Sequence, residues 1–574
     1  MSARQPHRLA DGGRLIDRTA PLTFHFNGTP MQGYSGDTLA SALLAGGQTL
    51  VGRSFKYHRP RGIVTAGVEE PNALVNLGTD GRFEPNQRAT TTEVFGGLRA
   101  QSQNHWPSLR WDVGALNAAL AQFLPAGFYY KTFLHPRAAW KHVFEPFIRR
   151  AAGLGDAPKK PDADRYEHFY AHVDVVIAGG GVAGLHAALV AGRAGARVLV
   201  CEQTPHWGGR APVDGGDIDG LAPDAWVERT IATLRTMDNV HLRPRTSVAG
   251  VYDHGYVIAY EQVADHAPGA TDAPRHRLWR IRAGHVIAAT GAVERPLSFE
   301  GNDKPGVMLA AAVRDYAVNY GVAVGQRTVI VTNNDDAYRT ARILHDAGVT
   351  VPCIVDTRER VESTLATQVR DLGIPVKTGM AIDEVKGTRQ VTGVALCRQA
   401  GAGGAVAETI VCDAVAMSGG WSPVVHLWSH CGGKLRWDDT HAMFCPDPAH
   451  PPTNQDGQAF VTCVGAAAGA LHPQDVLQNA HDATGHVMGD KGVDTQTPPP
   501  VPQFTAPAEA PMMPVWVMPR DASVKKRAKM WLDFQNDVKV ADVDLATREG
   551  FESVEQTKRY TTLGMATDQG KLSN

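Results

Sequence analysis

The sharpest pattern in the chain is an apolar run, a cluster of glycines and an alanine-rich segment between residues 173 and 193. The run at 173–178 is rich in β-branched residues and has the length of a buried strand. No formally charged residue occurs from 175 to 192, a length that approaches a membrane span. Because glycines interrupt the stretch, the pattern predicts a strand, a turn and a helix instead. A second strand, RVLVCE, follows and ends in Glu202.

The turn between the first strand and the helix has the glycine spacing of a dinucleotide-binding loop. Gly179 permits a tight turn, Gly181 lets a pyrophosphate approach the backbone, and Gly184 allows the helix to pack closely on the strand. The helix N-terminus offers free N–H groups to the phosphates. Glu202 lies 23 residues beyond Gly179, where it would accept a hydrogen bond from a ribose 2′-hydroxyl and repel a 2′-phosphate. The constellation predicts a dinucleotide site that disfavours NADP.

A second strand–turn–helix pattern begins near Gln326. Its strand, TVIVT, is followed by Asn333-Asn334-Asp335-Asp336 where a second set of glycines would be expected. Two aspartates would repel a pyrophosphate, and close backbone approach requires glycine. We therefore expect this domain to keep a Rossmann-like fold and to have lost ordinary NAD(P)H binding.

Near the N-terminus, short strands and turns surround a dense basic loop, GRSFKYHRPRGI, at residues 52–63. One hypothesis is that this loop clamps a phosphate or the acidic surface of a partner protein. The alternative is a charged loop that is solvated or satisfied inside the chain. The candidate clamp residues are Arg53, Lys56, Arg59 and Arg61, beside Phe55, Tyr57 and His58.

Composition along the chain predicts its domain organisation. Residues 495–519 are rich in proline, which is typical of a stiff linker. The predicted segments are a flexible N-terminus (1–20), a β-grasp domain (21–105), a connector (106–170), a nucleotide-binding Rossmann domain (171–325 with 459–490), a second, degenerate Rossmann-like domain (326–458), a proline-rich linker (491–520) and the start of a further domain (521–574).

Charge and cysteine content exclude several classes of protein. The 57 Lys and Arg nearly balance the 59 Asp and Glu, so nucleic acid is not expected as a ligand. The seven cysteines are widely spaced and lack a Cys-x-x-Cys pair, which disfavours a disulfide scaffold or a zinc ribbon. The N-terminus lacks the apolar core of a signal peptide. We therefore expect a cytoplasmic protein with no membrane contact and no metal site.

Four residues were weighed as functional candidates and interpreted as structural. His168 and His172 have the spacing of metal ligands on a helix, but no third ligand lies nearby, which favours core or interface histidines. Asp174 is a lone carboxylate at the entry to a strand, which favours a solvated position. Cys201 precedes Glu202, and a neighbouring carboxylate raises a thiol pKa, so we expect an inert cysteine.

Beyond these local patterns, the chain resembles the two-dinucleotide-binding flavoprotein superfamily. Trp207-Gly208-Gly209-Arg210 follows Glu202 closely, and the strand VIAATGAVERP at 286–296 is similar to the one that leads into the second domain of that superfamily. Residues 21–105 resemble a plant-type ferredoxin module, but their cluster loop has no cysteine, so a [2Fe–2S] cluster is excluded there. The predicted fold class is α/β: a cluster-free β-grasp followed by a flavoprotein-like Rossmann core with two dinucleotide-binding domains.

Over essentially its whole length, the chain resembles the α subunits of heterotetrameric sarcosine oxidases. The most specific segments are the tail KRYTTLGMATDQGKLSN (558–574), SFKYHRPRGI and the GGGVAG loop. The resemblance implies NAD in the first Rossmann site, FMN at the interface with a β subunit, FAD within that β subunit, and γ and δ subunits. It also implies that residues 521–574 begin an aminomethyltransferase-like domain, which binds tetrahydrofolate in a full-length chain. A piece of about 50 residues is expected to bury little apolar area by itself.

The resemblance also implies which residues contact NAD. In the superfamily, the segment at 459–473 carries an acid that contacts the flavin ribityl chain, and Ala466 takes its place here, which puts a conventional FAD in doubt. The implied NAD contacts are Gly181, Val182, Glu202, Gln203, Gly209, Val248, Ala466 and Leu471, and Gly179, Gly184 and Arg210 complete the predicted site.

The reaction that the resemblance implies is oxidative demethylation of sarcosine to glycine. Oxygen would be reduced to hydrogen peroxide and the one-carbon unit would pass to tetrahydrofolate. Two alternatives stay open: a stand-alone FAD-dependent NAD(P)H oxidoreductase, and a non-catalytic scaffold that holds NAD and docks partner subunits.

Overall fold

Two compact units make up the chain, and each is described by itself. The computed structural model describes residues 5–119, 121, 124–131, 135–151, 153–267, 272–492 and 498–573. Residues 1–4 of the predicted flexible N-terminus and 493–497 of the predicted linker lie outside the described residues. The first unit comprises Met1–Ala163, Glu294–Gly420 and Glu509–Asn574, and the second Asp164–Val293 and Trp421–Ala508.

The first unit begins with a mixed sheet that holds one short helix. The sheet has the order β2-β1-β7-β5-β6, and β1 runs parallel to β7. Every residue of α1 is buried, and the Thr38 hydroxyl caps the helix by accepting from Ser41 N at 3.2 Å. This arrangement confirms the predicted β-grasp. The elements are β1 (Asp17–Phe26), β2 (Thr29–Ser35), α1 (Leu39–Ala45), β3 (Gly52–Arg53), β4 (Pro60–Arg61), β5 (Leu74–Leu77), β6 (Glu84–Arg88) and β7 (Arg99–Ser102).

Hydrogen bonds hold the predicted flexible N-terminus from residue 5 onward, where the Gln5 side-chain amide donates to the Gln32 carbonyl at 2.8 Å. His7 N donates to the Ala45 carbonyl at 3.1 Å, and Arg8 pairs with the buried Asp37 carboxylate at 2.7 Å. Strand β1 begins at Asp17, inside the segment predicted as flexible. The reason is that Arg8 neutralises a buried carboxylate, a contact that local composition does not reveal.

The connector after the β-grasp contains short helices. These are α2 (Phe128–Lys131), α3 (Arg137–Ala139) and α4 (Glu145–Ala151), and a π-helical turn at Trp140–Phe144 joins α3 to α4.

The second unit is built on a sheet in the order β11-β9-β8-β14-β13-β12. Strands β8, β9, β11 and β14 are parallel to one another, and β27 pairs with β14 in the same direction. The predicted strand at 173–178 begins earlier, at Tyr166, because residues 276–282 of β14 offer a partner to 166–172. The elements are β8 (Tyr166–Ala178), α5 (Val182–Arg193), β9 (Val198–Cys201), α6 (Ala211–Asp214), β10 (Asp217–Ile218), α7 (Pro223–Arg235), β11 (Val240–Arg243), β12 (Thr246–Tyr252), β13 (Tyr256–Gln262), β14 (His276–Ala288) and β15 (Ala292–Glu294).

The first unit continues with a second parallel sheet in the order β16-β23-β17-β18-β19. Strands β20, β21 and β22, which come between β19 and β23 in the sequence, form a separate antiparallel sheet. The predicted Rossmann-like fold of this domain is confirmed. Its elements are β16 (Val307–Leu309), α8 (Ala310–Tyr320), β17 (Thr328–Thr332), α9 (Asp336–Asp346), β18 (Ile354–Asp356), α10 (Thr364–Asp371), β19 (Val376–Thr378), β20 (Met380–Lys386), β21 (Gly393–Arg398), β22 (Glu408–Ile410) and β23 (Ala414–Ser418).

The prediction assigns residues 294–325 to the nucleotide-binding Rossmann domain and 421–458 to the second, degenerate one. The structure instead places 294–325 in the first unit, with the second Rossmann-like sheet, and 421–458 in the second unit, with the nucleotide-binding sheet. The reason is that β16 pairs with β23, which places residues 307–309 in the second parallel sheet with α8 directly after them, while β27 returns the chain to β14. The remaining elements are β24 (Trp421–Pro423), α11 (His426–His430), β25 (Leu435–Asp438), β26 (Met443–Pro446), β27 (Val461–Cys463), α12 (Pro473–Asp490), β28 (Phe504–Thr505), α13 (Val524–Arg527), β29 (Trp531–Asp533), β30 (Val538–Lys539), α14 (Val540–Arg548) and α15 (Val554–Thr561).

The C-terminal segment buries more apolar area than its length led us to expect. Met530, Phe534 and Val538 are at most 2% exposed. Phe534 and Trp531 belong to the same hydrophobic core as the β-grasp helix and the second sheet. In the structure this segment is therefore an integral part of the first unit.

A buried carboxyl beside the N-terminus of α8 makes stability depend on pH. Glu294 is buried, and burial, with a smaller effect from Asp336, raises its pKa to about 8. A raised folded-state pKa stabilises the protein fully below the unfolded value near 4.5, and this contribution is lost as the pH rises through about 8. The free energy of unfolding of wild type relative to Glu294→Gln should fall by a few kcal/mol between pH 5 and pH 8. Denaturant titrations at both pH values measure it, and the exposed Glu552→Gln is the control, whose difference from wild type should stay constant.

Candidate nucleotide-binding site

The loop between β8 and α5 is shaped by glycines that cannot be replaced without a clash. Gly179 has a φ of +112°, and a Cβ there would lie 2.3 Å from the Ala289 carbonyl oxygen. A Cβ on Gly184 would lie 2.0 Å from the Gly179 carbonyl oxygen, so the helix lies directly on the loop. In the structure Gly179 therefore lies in a tight turn, and Gly184 lies where the helix packs on the loop.

Gly181 differs from its neighbours because it faces open space. The nearest heavy atom to a Cβ built on Gly181 would be the Gly209 Cα, at 3.8 Å. Helix α5 begins at Val182, and its N-cap residue Gly181 contributes no side-chain hydrogen bond. The backbone at Gly181 is therefore open to close approach beside the N-terminus of α5, which suits a pyrophosphate.

A second pair of glycines braces this loop. Gly208 N donates to the Gly180 carbonyl oxygen at 2.8 Å, and a Cβ on Gly180 would lie 2.3 Å from the Trp207 ring. Gly209 is exposed, has a φ of +58° and lies against the Gly181 Cα. The structure thus brings the two predicted glycine segments together.

Glu202 lies at the end of β9 and is buried, in direct contact with the glycine loop. One carboxylate oxygen accepts from Gly180 N at 2.7 Å, and the other accepts from Thr204 N at 2.8 Å and from its hydroxyl at 3.0 Å. Burial raises the pKa of Glu202, against these hydrogen bonds, which lower it. The carboxylate therefore holds the loop in shape. Its predicted contact with a ribose hydroxyl stays a prediction.

The other predicted contacts lie on segments that approach the loop. Thr246 N, at the start of β12, donates to the Glu202 carbonyl at 2.7 Å, and Val248 lies two residues further on this strand. Ala466 is half-buried in a 3-10 turn, Gly465–Ala468, and a Cβ on Gly465 would lie 2.8 Å from the Ala183 Cβ. Val182 and Leu471 are half-buried, Gln203 is exposed, and Arg210 pairs with Asp214 at 2.9 Å.

Sequence reasoning missed three residues that position this site. Asn479 accepts from Gly465 N at 2.8 Å and so fixes the turn that carries Ala466. Thr204 bonds the Glu202 carboxylate, and the Ala289 carbonyl oxygen limits the space at Gly179. No local signal identifies Asn479 or Ala289, because both come from strands and helices distant in sequence. Thr204 could have been found two residues after the acid.

The basic loop, in contrast, is satisfied inside the first unit. Arg59 pairs with Asp303 and, at 2.6 Å, with Asp537, and its guanidinium lies 3.3 Å from the centroid of the Trp531 ring. Arg61 donates to the Gln535 carbonyl, and burial lowers its pKa to about 10.

The remaining two cations also have partners within the unit. Arg53 donates to the Leu109 carbonyl at 2.7 Å. The Lys56 ammonium lies over the rings of Tyr57 and Phe128, at 4.8 and 5.7 Å from their centroids. The hypothesis of an external clamp is therefore replaced by the alternative of a loop satisfied inside the chain.

Of the residues that the sequence predicts to be structural, Cys201 contacts the glycine loop through its backbone, because its carbonyl oxygen accepts from Gly179 N at 2.8 Å. His168 and His172 are exposed on β8, a strand, where a separation of four residues spans about 13 Å. Asp174 pairs with Arg197 at 2.8 Å, and the hydrogen bond from Arg197 lowers its pKa. Burial, more than the neighbouring Glu202, raises the pKa of the Cys201 thiol to about 12. Within the described residues, none of the helices combines the length and the apolarity that a bilayer crossing requires.

Three family models match the chain. They are described as a 2Fe-2S iron-sulfur cluster binding domain (residues 19–105), a pyridine nucleotide-disulphide oxidoreductase (173–441) and a sarcosine oxidase A3 domain (527–574). An iron–sulfur cluster needs thiolate ligands, and residues 19–105 contain no cysteine. The residues present therefore do not fit the cluster, although the module keeps its fold.

Relatives and solved structures agree with these models. A sarcosine oxidase subunit alpha from Rhizobium meliloti (strain 1021) is 46% identical over 99% of this chain and 55% of its own length. One from Corynebacterium sp. (strain U-96) is 34% identical over 99% of this chain and 54% of its own length. The chain spans about half the length of these curated relatives. The L-proline dehydrogenase from P. horikoshii shares the fold, with a TM-score of 0.64 at 19% identity over 99% of this chain and 92% of that one.

Proposed function

This chain belongs to the sarcosine oxidase α-subunit family, and from that premise we propose that it is the NAD-holding part of an α subunit in a multi-subunit sarcosine oxidase. The observation that carries the proposal is the space at Gly181, between the α5 N-terminus and the second glycine pair. A dinucleotide pyrophosphate is the group that such a space and its free N–H groups recognise.

The residues of this chain fit NAD better than FAD. Gly179, Gly181 and Gly184 would hold the pyrophosphate, Glu202 the adenosine ribose, and Val182, Gln203, Gly209, Arg210, Val248 and Leu471 would complete the pocket. Ala466 supplies no carboxylate for a flavin ribityl chain. The nucleotide would contribute structure, by neutralising a helix N-terminus and joining the glycine segments to the turn at 465–468, rather than hydride transfer.

The amine oxidation itself would take place with partner subunits. Sarcosine and oxygen would give glycine and hydrogen peroxide, with the one-carbon unit passed to tetrahydrofolate in a full-length chain. FAD in a β subunit and FMN at the α/β interface would carry the electrons. The chain described here would hold NAD and form one wall of that interface.

An exposed apolar face in the first unit supports docking of a partner. Trp140, Val143 and Phe147 are 40%, 58% and 69% exposed, and their spacing puts them on one side of the helical run 137–151. Residues 131–151 carry five Lys and Arg against one Glu. We propose that this face docks a partner subunit whose apolar contact surface is rimmed by carboxylates.

Nucleotide release tests the proposed function. The purified chain should be colourless and, after heat denaturation, should release about one NAD per chain, identified by chromatography and mass. Release of stoichiometric FAD from a yellow protein would overturn the proposal in favour of the stand-alone flavoprotein.

Co-expression with the candidate partner subunits tests the oxidase assignment. The assembled complex should produce peroxide from sarcosine, and Phe147→Asp should weaken co-purification while the exposed Val411→Asp should not. A chain that releases NAD and yields no peroxide with any partner would support the scaffold alternative instead.

A further inference from the structure

The second Rossmann-like sheet keeps the framework of a dinucleotide site. Strand β17 ends at Thr332, α9 begins at Asp336, and β18 ends at Asp356. Asp356 lies 23 residues beyond Asn333, the same spacing that separates Glu202 from Gly179. A turn, a helix N-terminus and a terminal acid thus meet at the carboxyl end of this sheet, which is where open α/β sheets bind ligands.

A stretch of the chain's own backbone lies against this turn. Met513 N donates to the Asn333 backbone carbonyl oxygen at 3.0 Å, and the Asn333 side-chain amide donates to the Met513 carbonyl oxygen at 2.8 Å. Ala510 N donates to a carboxylate oxygen of Asp335 at 2.7 Å. Residues 509–513, which we name the strap, therefore pair with the same turn that would face a pyrophosphate.

The strap also engages two arginines around the site. Arg358, two residues past the end of β18, donates to the Pro511 carbonyl at 3.2 Å. Arg339 on α9 pairs with the Glu509 carboxylate at 2.5 Å. The strap thus contacts the turn, helix α9 and a residue just beyond the second strand, which are the regions that surround a dinucleotide in an intact site.

At this turn, two buried aspartates carry the negative charge that a bound pyrophosphate would carry in an intact site. Asp335 is fully buried and pairs with Arg358 at 2.7 Å. Asp336, 6% exposed, is bonded by Arg314 at 2.9 and 3.1 Å and by Arg339 at 3.0 Å. A pyrophosphate would have to break these buried pairs, meet two carboxylates and expel the strap.

We propose that the second dinucleotide site is a peptide-binding site whose permanent ligand is the strap, residues 509–513. The segment predicted as a free proline-rich linker thereby closes the site to NAD(P)H and locks the second sheet. Each chain then holds a single nucleotide, in the first site. This inference does not depend on which nucleotide the first site takes.

Hydrogen exchange of the full chain, read by mass spectrometry, tests the strap. The amides of Ala510 and Met513 should exchange at least about tenfold more slowly than in an unstructured peptide. Addition of 1 mM NADH or NADPH should leave this protection unchanged, and equilibrium dialysis should count no more than one nucleotide per chain. Exchange of these two amides at the unstructured rate, or a second bound nucleotide accompanied by loss of protection in 505–516, would overturn the proposal.

A matched pair of variants links the protection to the contacts. Glu509→Ala removes the pair with Arg339 and should raise deuterium uptake in 505–516 severalfold without adding a nucleotide. Glu408→Ala removes an exposed pair with Lys377 and should leave that uptake unchanged. Equal uptake in both variants would show that the ion pair does not hold the strap.

Discussion

Gly181→Ala is expected to remove the bound nucleotide while the fold stays intact. Gly181 has a φ of −68°, which alanine adopts freely, and its new Cβ would meet only the Gly209 Cα at 3.8 Å. That Cβ would instead occupy the space where the pyrophosphate approaches the backbone. The NAD released per chain should fall at least about tenfold, because the added methyl group would keep the pyrophosphate away from the backbone that binds it.

Two further glycines make this experiment decisive. Gly485 lies on α12, and a Cβ built there would have no heavy atom within 4 Å. Gly485→Ala should therefore keep the nucleotide and stabilise the protein by roughly 0.5–1 kcal/mol. Gly184→Ala would place a Cβ 2.0 Å from a carbonyl oxygen and should lower Tm strongly. Retention of one NAD per chain by Gly181→Ala, with an unchanged Tm, would show that the pyrophosphate does not bind there.

Asp537→Asn is expected to give a large loss of stability for the removal of a single charge. Asp537 is fully buried and accepts from Lys56 N at 2.6 Å and Tyr57 N at 3.0 Å, besides its pair with Arg59. Burial alone would raise its pKa, but Arg59 and Arg61 hold the pKa below its usual value. Loss of the carboxylate breaks a buried ion pair and removes the nearest negative charge to Arg61, while Arg59 keeps only its pair with Asp303, which costs about 3–5 kcal/mol.

Asparagine is chosen because Asp537 has a φ of +59°, a conformation that Asn tolerates. The control is Asp544→Asn, which removes a half-exposed pair with Arg527 at 3.3 Å and should cost at most about 1 kcal/mol. Denaturant unfolding of both variants measures the difference. A loss below about 1 kcal/mol for Asp537→Asn would mean that the basic loop is held mainly by its aromatic contacts.

The local order of the nucleotide loop could be predicted from the sequence, because its determinants are neighbours along the chain. Gly179, Gly181, Gly184 and Glu202 lie within 24 residues, and each has a steric or electrostatic requirement that its type alone satisfies. The same reasoning identified the loss of the second glycine set. It could not identify Asn479, whose side-chain oxygen accepts from Gly465 N, because both residues lie far along the chain from the glycine loop.

The fate of the charged groups was decided by tertiary structure. The sequence by itself determined that Arg59 and Arg61 are cations beside aromatic residues, and that residues 509–513 lie in a proline-rich stretch, 495–519. Only the fold brought Asp537, 478 residues away, onto Arg59 and laid the strap across Asn333 and Asp335. Local patterns determine the conformation of a turn or helix, whereas the partner of a buried charge or an open sheet edge depends on which distant segments pack there.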